Sequence, residues 1–115
     1  MAATERFAAI DVGSNSIRCL IAEQAEDGHL TVVEDLKDQP RLARGLSATG
    51  MLAAASMDRA AQAIGRMLQM AERRGAARVA LVATSAVRDA ANGAEFAERV
   101  KRELGVPLEV IDGET

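Results

Sequence analysis

The sequence predicts an α/β domain built on a mixed sheet, and three observations carry that expectation. Residues 7–12, 17–23 and 30–36 are short apolar or β-branched runs separated by turn residues, the pattern of a three-strand antiparallel meander. Met57, Ala60, Ala61, Ile64, Met67, Leu68 and Ala71 then recur at three-and-four spacing, one apolar stripe of a helix. Beyond it, two further apolar runs flank a second helical segment, and strands joined through helical crossovers run parallel in one sheet. The predicted order is strand, strand, strand, helix, strand, helix, strand.

Each element has its own signal. Residues 7–12 are nearly continuously apolar and end at Gly13, which reads as a strand buried on both faces. Only the small or polar residues 13–16 separate it from the second run, so the two form a hairpin, and Asp27-Gly28 marks the next turn. Residues 39–52 break the pattern with Pro40, Gly45 and Gly50 yet keep Leu42, Leu46 and Leu52 as apolar anchors, an ordered crossing loop. Ser56 is the expected N-cap of the first helix and Gly75 its stop. Gly65 lies inside that helix, where it costs about 1 kcal/mol relative to Ala, and close packing against the sheet is its expected reason. Residues 78–84 form the fourth strand. Asn92 and Glu95 resemble a capping box ahead of Phe96, Ala97, Val100 and Leu104, Gly105 ends that helix, and residues 106–111 form a fifth strand.

Composition limits the function. A chain of 115 residues is one domain or part of one. With 49% hydrophobic residues it builds a core, but two Phe and no Trp or Tyr leave no aromatic platform for stacking bases. A net charge of −3 excludes a globally basic coat for nucleic acid, so no nucleic-acid partner is expected and any anion site is local. The single Cys19 and single His29 form neither a disulfide nor a zinc cluster, which fits a reducing cytoplasm, and no long apolar run or leader suggests a membrane partner. Cys19 alternates with Ile17 and Ile21 as a core residue, and His29 follows a turn glycine at the surface. Met51, Met57, Met67 and Met70 are expected to pack around the first helix, and Arg73, Arg74 and Arg78 to complement the negative end of its dipole.

Two segments carry chemistry. In Asp11-Val12-Gly13-Ser14-Asn15-Ser16 an acidic residue ends a strand and a tight turn presents amides and small donors, an arrangement that suits phosphate. Gly13 permits close approach, Ser14, Asn15 and Ser16 donate, and Asp11 can hold a metal-bound water. A plain hairpin turn uses the same residue types for local hydrogen bonds. The second segment is Thr84-Ser85 followed by Arg88, just past the carboxyl end of a parallel strand, where ligands of open α/β sheets bind. The Arg88 fork matches phosphate oxygens in a bidentate way and makes it the catalytic candidate. A surface contact of Arg88 with Asp89 or Glu95 is the competing reading.

Ile10-Asp11-Val12-Gly13-Ser14-Asn15-Ser16 resembles the first phosphate motif of the exopolyphosphatase and guanosine pentaphosphate phosphohydrolase family, within the superfamily of actin, sugar kinases and acetate kinase. Arg41-Leu42-Ala43-Arg44-Gly45-Leu46 is similar to the family's loop before the first helix. Ala83-Thr84-Ser85-Ala86-Val87-Arg88-Asp89-Ala90 resembles its next block, and Val110-Ile111-Asp112-Gly113-Glu114-Thr115 the start of its Ser-Gly-Glu-Glu-Glu-Ala motif. Arg44 stands where members more often carry an acid, and Asp112 where Ser is common.

The resemblance implies a ribonuclease H-like, actin-like ATPase fold, with residues 1–115 the N-terminal part of the first lobe of a longer two-lobed protein. It implies magnesium as cofactor, placed with help from the first motif through Asp11, and a Thr-Ser-x-x-Arg segment facing the cleft. It puts the catalytic Glu immediately after Thr115, and the second phosphate loop later still, so this chain alone is expected to be inactive. The activity implied is release of terminal phosphate from inorganic polyphosphate or guanosine pentaphosphate, with a homodimer formed through the rest of the parent. An ATP-dependent sugar or acetate kinase lobe, and a non-catalytic domain that binds nucleotide or a partner, stand as alternatives.

Overall fold

Alternation decides which side of each strand is covered. In the computed structural model, which describes residues 4–111, β1 (Glu5–Val12) buries Ala8, Ile10 and Val12 and exposes Ala9 and Asp11. β2 (Ile17–Gln24) buries Ile17, Cys19 and Ile21 on that same side. β3 (Leu30–Asp38) follows, and β4 (Ala76–Ala83) and the short β5 (Glu109–Val110) complete a sheet of order β3-β2-β1-β4-β5. β1 pairs antiparallel with β2 and parallel with β4; β2 pairs antiparallel with β3, and β5 parallel with β4. The mixed sheet expected from the sequence is present.

All the long helices lie on one face. α1 (Leu46–Thr49) is a single turn in the crossing loop, α2 (Ala54–Arg73) is the first crossover, α3 (Ser85–Asp89) is short, and α4 (Gly93–Leu104) is the second crossover. Ile64 and Met67 of α2 and Phe96 and Val100 of α4 join Ile10, Ile21 and Leu81 in one apolar cluster. Residue types that bury one stripe of a helix against one face of a sheet suffice for this two-layer core. The burial of β1 on both faces expected from its apolar run does not occur: among the described residues nothing covers the second face, where Ala9 and Asp11 are open. An apolar run reports tolerance of burial on each side, and Ala is small enough to stand exposed without a large cost.

Other expectations are corrected locally. α2 starts after Ala53 rather than at Ser56, and Ser56 is buried inside its first turn. Asn92 stands at the head of α4 without capping it; its amide instead reaches Leu52, donating to the carbonyl at 3.0 Å and accepting from the amide at 2.8 Å. The neighbour of Gly65 is Leu104 of α4, 3.5 Å from where a Cβ would stand, and not the sheet. Met51 is exposed rather than packed, whereas Met67 is buried and Met57 and Met70 lie against the core. Cys19 is fully buried and His29 exposed, as expected.

Candidate functional site

The end of β1 and the end of β4 are adjacent because the strands are parallel neighbours, Val12 standing opposite Ala83. The Thr84 amide donates to the Val12 carbonyl at 3.3 Å, which carries the pairing one residue past the strands. The chain then leaves β1 through residues 13–16 and leaves β4 into α3, so both exits rise from the same end of the sheet, at the carboxyl ends of two interior strands. They are joined there: Ser14 Oγ and Ser85 Oγ lie 2.8 Å apart, a hydrogen bond between residues 71 positions apart in the chain.

The turn itself is tight. The Gly13 amide donates to the Ser16 carbonyl at 2.9 Å, so this amide closes the turn. Gly13 also relieves crowding, since a Cβ there would stand 3.0 Å from the Ser16 carbonyl oxygen, a tight contact. The amides of Ser14, Asn15 and Ser16 meet no acceptor among the described residues. The crossing loop braces the other side: Ala43 donates to the Ser14 carbonyl at 2.8 Å and Arg41 to the Asn15 carbonyl at 3.1 Å. In a trans peptide the N–H points opposite to the C=O, so those bonds turn the Asn15 and Ser16 amides away from the loop.

Asp11 is exposed on the uncovered face, facing Arg18 across the β1–β2 pair; the buried position implied by a strand covered on both sides is not observed. Arg18 is held by Asp35, with Nη2 to Oδ2 at 2.7 Å, and Asp11 itself has no ion pair among the described residues. The Arg18 guanidinium holds the Asp35 carboxyl below its ordinary range through that hydrogen bond. Thr84 caps α3 through its backbone, its carbonyl accepting from the Arg88 amide at 3.0 Å. Arg88 sits one turn on, its Nε donating to Asp89 Oδ1 at 3.0 Å and its side chain 38% exposed. The contact with Asp89 that the sequence raised as a competing role is thus made. Glu114 and Thr115 lie outside the described residues.

A surface concavity of about 510 Å³ lies elsewhere, between Met57 of α2 and Phe96, Glu95 and Arg99 of α4. Its Arg99 is committed to Asp58 at 2.7 Å and Glu103 at 3.1 Å. Among the described residues no three His, Cys, Asp or Glu side chains form a metal cluster.

Residues 4–115 match the Ppx/GppA phosphatase family. The chain belongs to that family. Among curated relatives, Exopolyphosphatase 1 of Mycobacterium tuberculosis is 34% identical over 109 residues, which are 95% of this chain and 32% of the relative. Exopolyphosphatase 1 of Mycobacterium leprae is 32% identical over 108 residues. Among solved structures, a Ppx/GppA family member from Aquifex aeolicus superposes with a TM-score of 0.94 at 36% identity, covering 97% of this chain and 36% of that one. An exopolyphosphatase from Cytophaga hutchinsonii gives 0.90 at 28% identity, covering 96% and 35%. The fold is therefore the actin-like one of the Ppx/GppA proteins, and the chain spans about a third of the length of the relatives it matches.

Sequence reasoning about the Ppx/GppA motifs named the turn, the α3 segment and the loop that begins at Arg41, but it missed how Arg41 and Asn92 organise them. Arg41 joins the turn through its backbone, and Asn92 ties the crossing loop to the head of α4, helped by the Ala91 amide donating to the Gly50 carbonyl at 2.8 Å. Neither role has a local sequence signal. Arg41 adopts a left-handed backbone, φ 54°, that no residue preference announces for Arg.

Proposed function

We propose that this chain is the N-terminal part of the first lobe of a phosphoanhydride hydrolase that releases terminal phosphate from inorganic polyphosphate, guanosine pentaphosphate, or both. The observation that carries the proposal is the Ser14–Ser85 bond, because it places a turn with three uncommitted amides beside the α3 segment that bears Arg88. Family membership supports the reaction class.

In this reading the amides of Ser14, Asn15 and Ser16 hold the oxygens of a phosphoryl group, Ser14, Ser85 and Thr84 add hydroxyl donors, and Arg88 offsets the charge that develops as the bond breaks. Gly13 serves by keeping the turn tight. The water-activating carboxylate is assigned to the further length that the relatives carry beyond the matched region, and closure of two lobes excludes bulk water.

Magnesium fits the donor chemistry in a limited way. Asp11 offers one exposed carboxylate without an ion pair among the described residues, a donor set that suits an ion completed by water and phosphate oxygens. Asp11 would hold such an ion, which when bound supplies positive charge against the phosphate oxygens. The proposed location is cytoplasmic; no helix among the described residues is long and apolar enough to cross a membrane.

The test is phosphate release from long-chain polyphosphate and from guanosine pentaphosphate by the full-length protein with magnesium. Release that falls about 10²–10³-fold in Arg88→Ala, as for loss of one charge-stabilising donor, supports the proposal. Unchanged kcat/KM removes Arg88 from the site, and hydrolysis of neither substrate overturns the assignment.

A further inference from the structure

Most arginines of this chain are committed. Arg6 pairs with Glu23, Arg18 with Asp35, Arg66 with Asp38, Arg74 with Glu34 and Arg78 with Glu5. Arg41, like Arg44, Arg59 and Arg73, has an exposed side chain with no hydrogen bond or ion pair among the described residues; what sets it apart from those three is its backbone, bonded to the Asn15 carbonyl at the tip of the turn. Together with Asn15 and Gln39 it lines a pocket of about 330 Å³ beside that turn.

Its backbone adds a second observation. Arg41 is the one non-glycine residue with positive φ among the described residues, at 54°. That conformation is disfavoured for a side chain with a Cβ, and strain of this kind persists where the surroundings enforce it. Here they do so with the Asn15 bond on one side, the buried Pro40 and Leu42 on the other, and the Arg44 amide donating to the Arg41 carbonyl at 3.0 Å. The result is an exposed arginine whose backbone is fixed at the flank of the turn opposite to the side its open amides face.

We propose that Arg41 is a specificity-determining residue that binds the part of an extended polyphosphate anion lying beyond the phosphoryl group held by the turn. The inference rests on the reading of the turn as an anion site. A short anion is satisfied by the amides on one side. A longer one, passing the tip at Asn15, reaches a cation whose fork matches phosphate oxygens and whose charge is not already neutralised by an internal acid. The consequence is discrimination by anion length rather than by reaction.

The experiment is an NMR titration of the ¹⁵N-labelled 115-residue chain with inorganic orthophosphate and with tripolyphosphate, in the wild type and in Arg41→Gly, Arg41→Asn and Arg88→Gln. Gly and Asn both accept a left-handed backbone, so the first two variants remove the charge while leaving the loop in place. Arg41→Gly and Arg41→Asn are expected to weaken tripolyphosphate at least fivefold and orthophosphate less than twofold, whereas Arg88→Gln weakens both. Tripolyphosphate affinity that is lost in Arg88→Gln but unchanged in both Arg41 variants overturns the inference and leaves the anion turn standing. If neither anion shifts the amides of Ser14, Asn15 and Ser16 in the wild type, the turn is not an anion site and the inference falls with it.

Discussion

Ser14 and Ser85 each offer one hydroxyl, and their contact at 2.8 Å leaves further lone pairs and one proton for a ligand. Both residues are only partly buried, so water replaces the lost partner when one is removed. Ser14→Ala and Ser85→Ala are each expected to cost about 0.5–1.5 kcal/mol in urea unfolding, with the double variant costing less than their sum. Cys19 behaves oppositely. Burial, with smaller contributions from the charges of Asp35 and Glu34, pushes its thiol above the ordinary value. The folded chain therefore keeps a proton that the unfolded chain loses, so this contribution to stability is intact below about pH 8.5 and declines as pH rises beyond it. Disulfide-forming reagents are expected to leave Cys19 untouched at pH 8 until denaturant is added; prompt labelling of the native chain would contradict its burial. The roles of Cys19 and His29 were legible from alternation and turn context. The exposure of Asp11 was not, because a one-sided sheet and a two-sided one draw on the same small apolar residues.

At the scale of elements, the junction between α3 and α4 is the tightest point of the fold. A Cβ on Gly93 would lie 1.8 Å from the Val87 carbonyl oxygen, a backbone atom, so α3 and the head of α4 have to separate to admit it. Gly93→Ala is expected to destabilise by about 1–3 kcal/mol in denaturant unfolding. The head of α4 is also where Asn92 copies a backbone strand edge toward Leu52, and Asn92→Ala strands a buried donor and acceptor at a cost of about 1–3 kcal/mol. Both changes loosen the mounting of Arg88, so phosphate affinity is expected to fall with stability. Strands and long helices were readable from period and punctuation. The short α1 and α3 were not, since one or two turns leave no periodicity, and Asn92 looked like a cap because Asn serves a cap and a long-range amide bridge equally well.

For the whole molecule, the expectation is a partial site. Phosphate release from long-chain polyphosphate by the 115-residue chain with magnesium is expected to stay at background, and efficient turnover by it alone would refute the two-lobe account. The sheet's topology has a further consequence, for the order of assembly. The β1–β2–β3 meander is local, so it can form as soon as the emerging polypeptide exposes it, whereas β4 docks beside β1 only after the α2 crossover has been made. The two serines that meet at the ends of β1 and β4 belong to different stages of that sequence. A nascent protein therefore carries the glycine turn early but gains a phosphate grip only once its central strand has acquired its second neighbour, which makes ligand protection a reporter of late folding events.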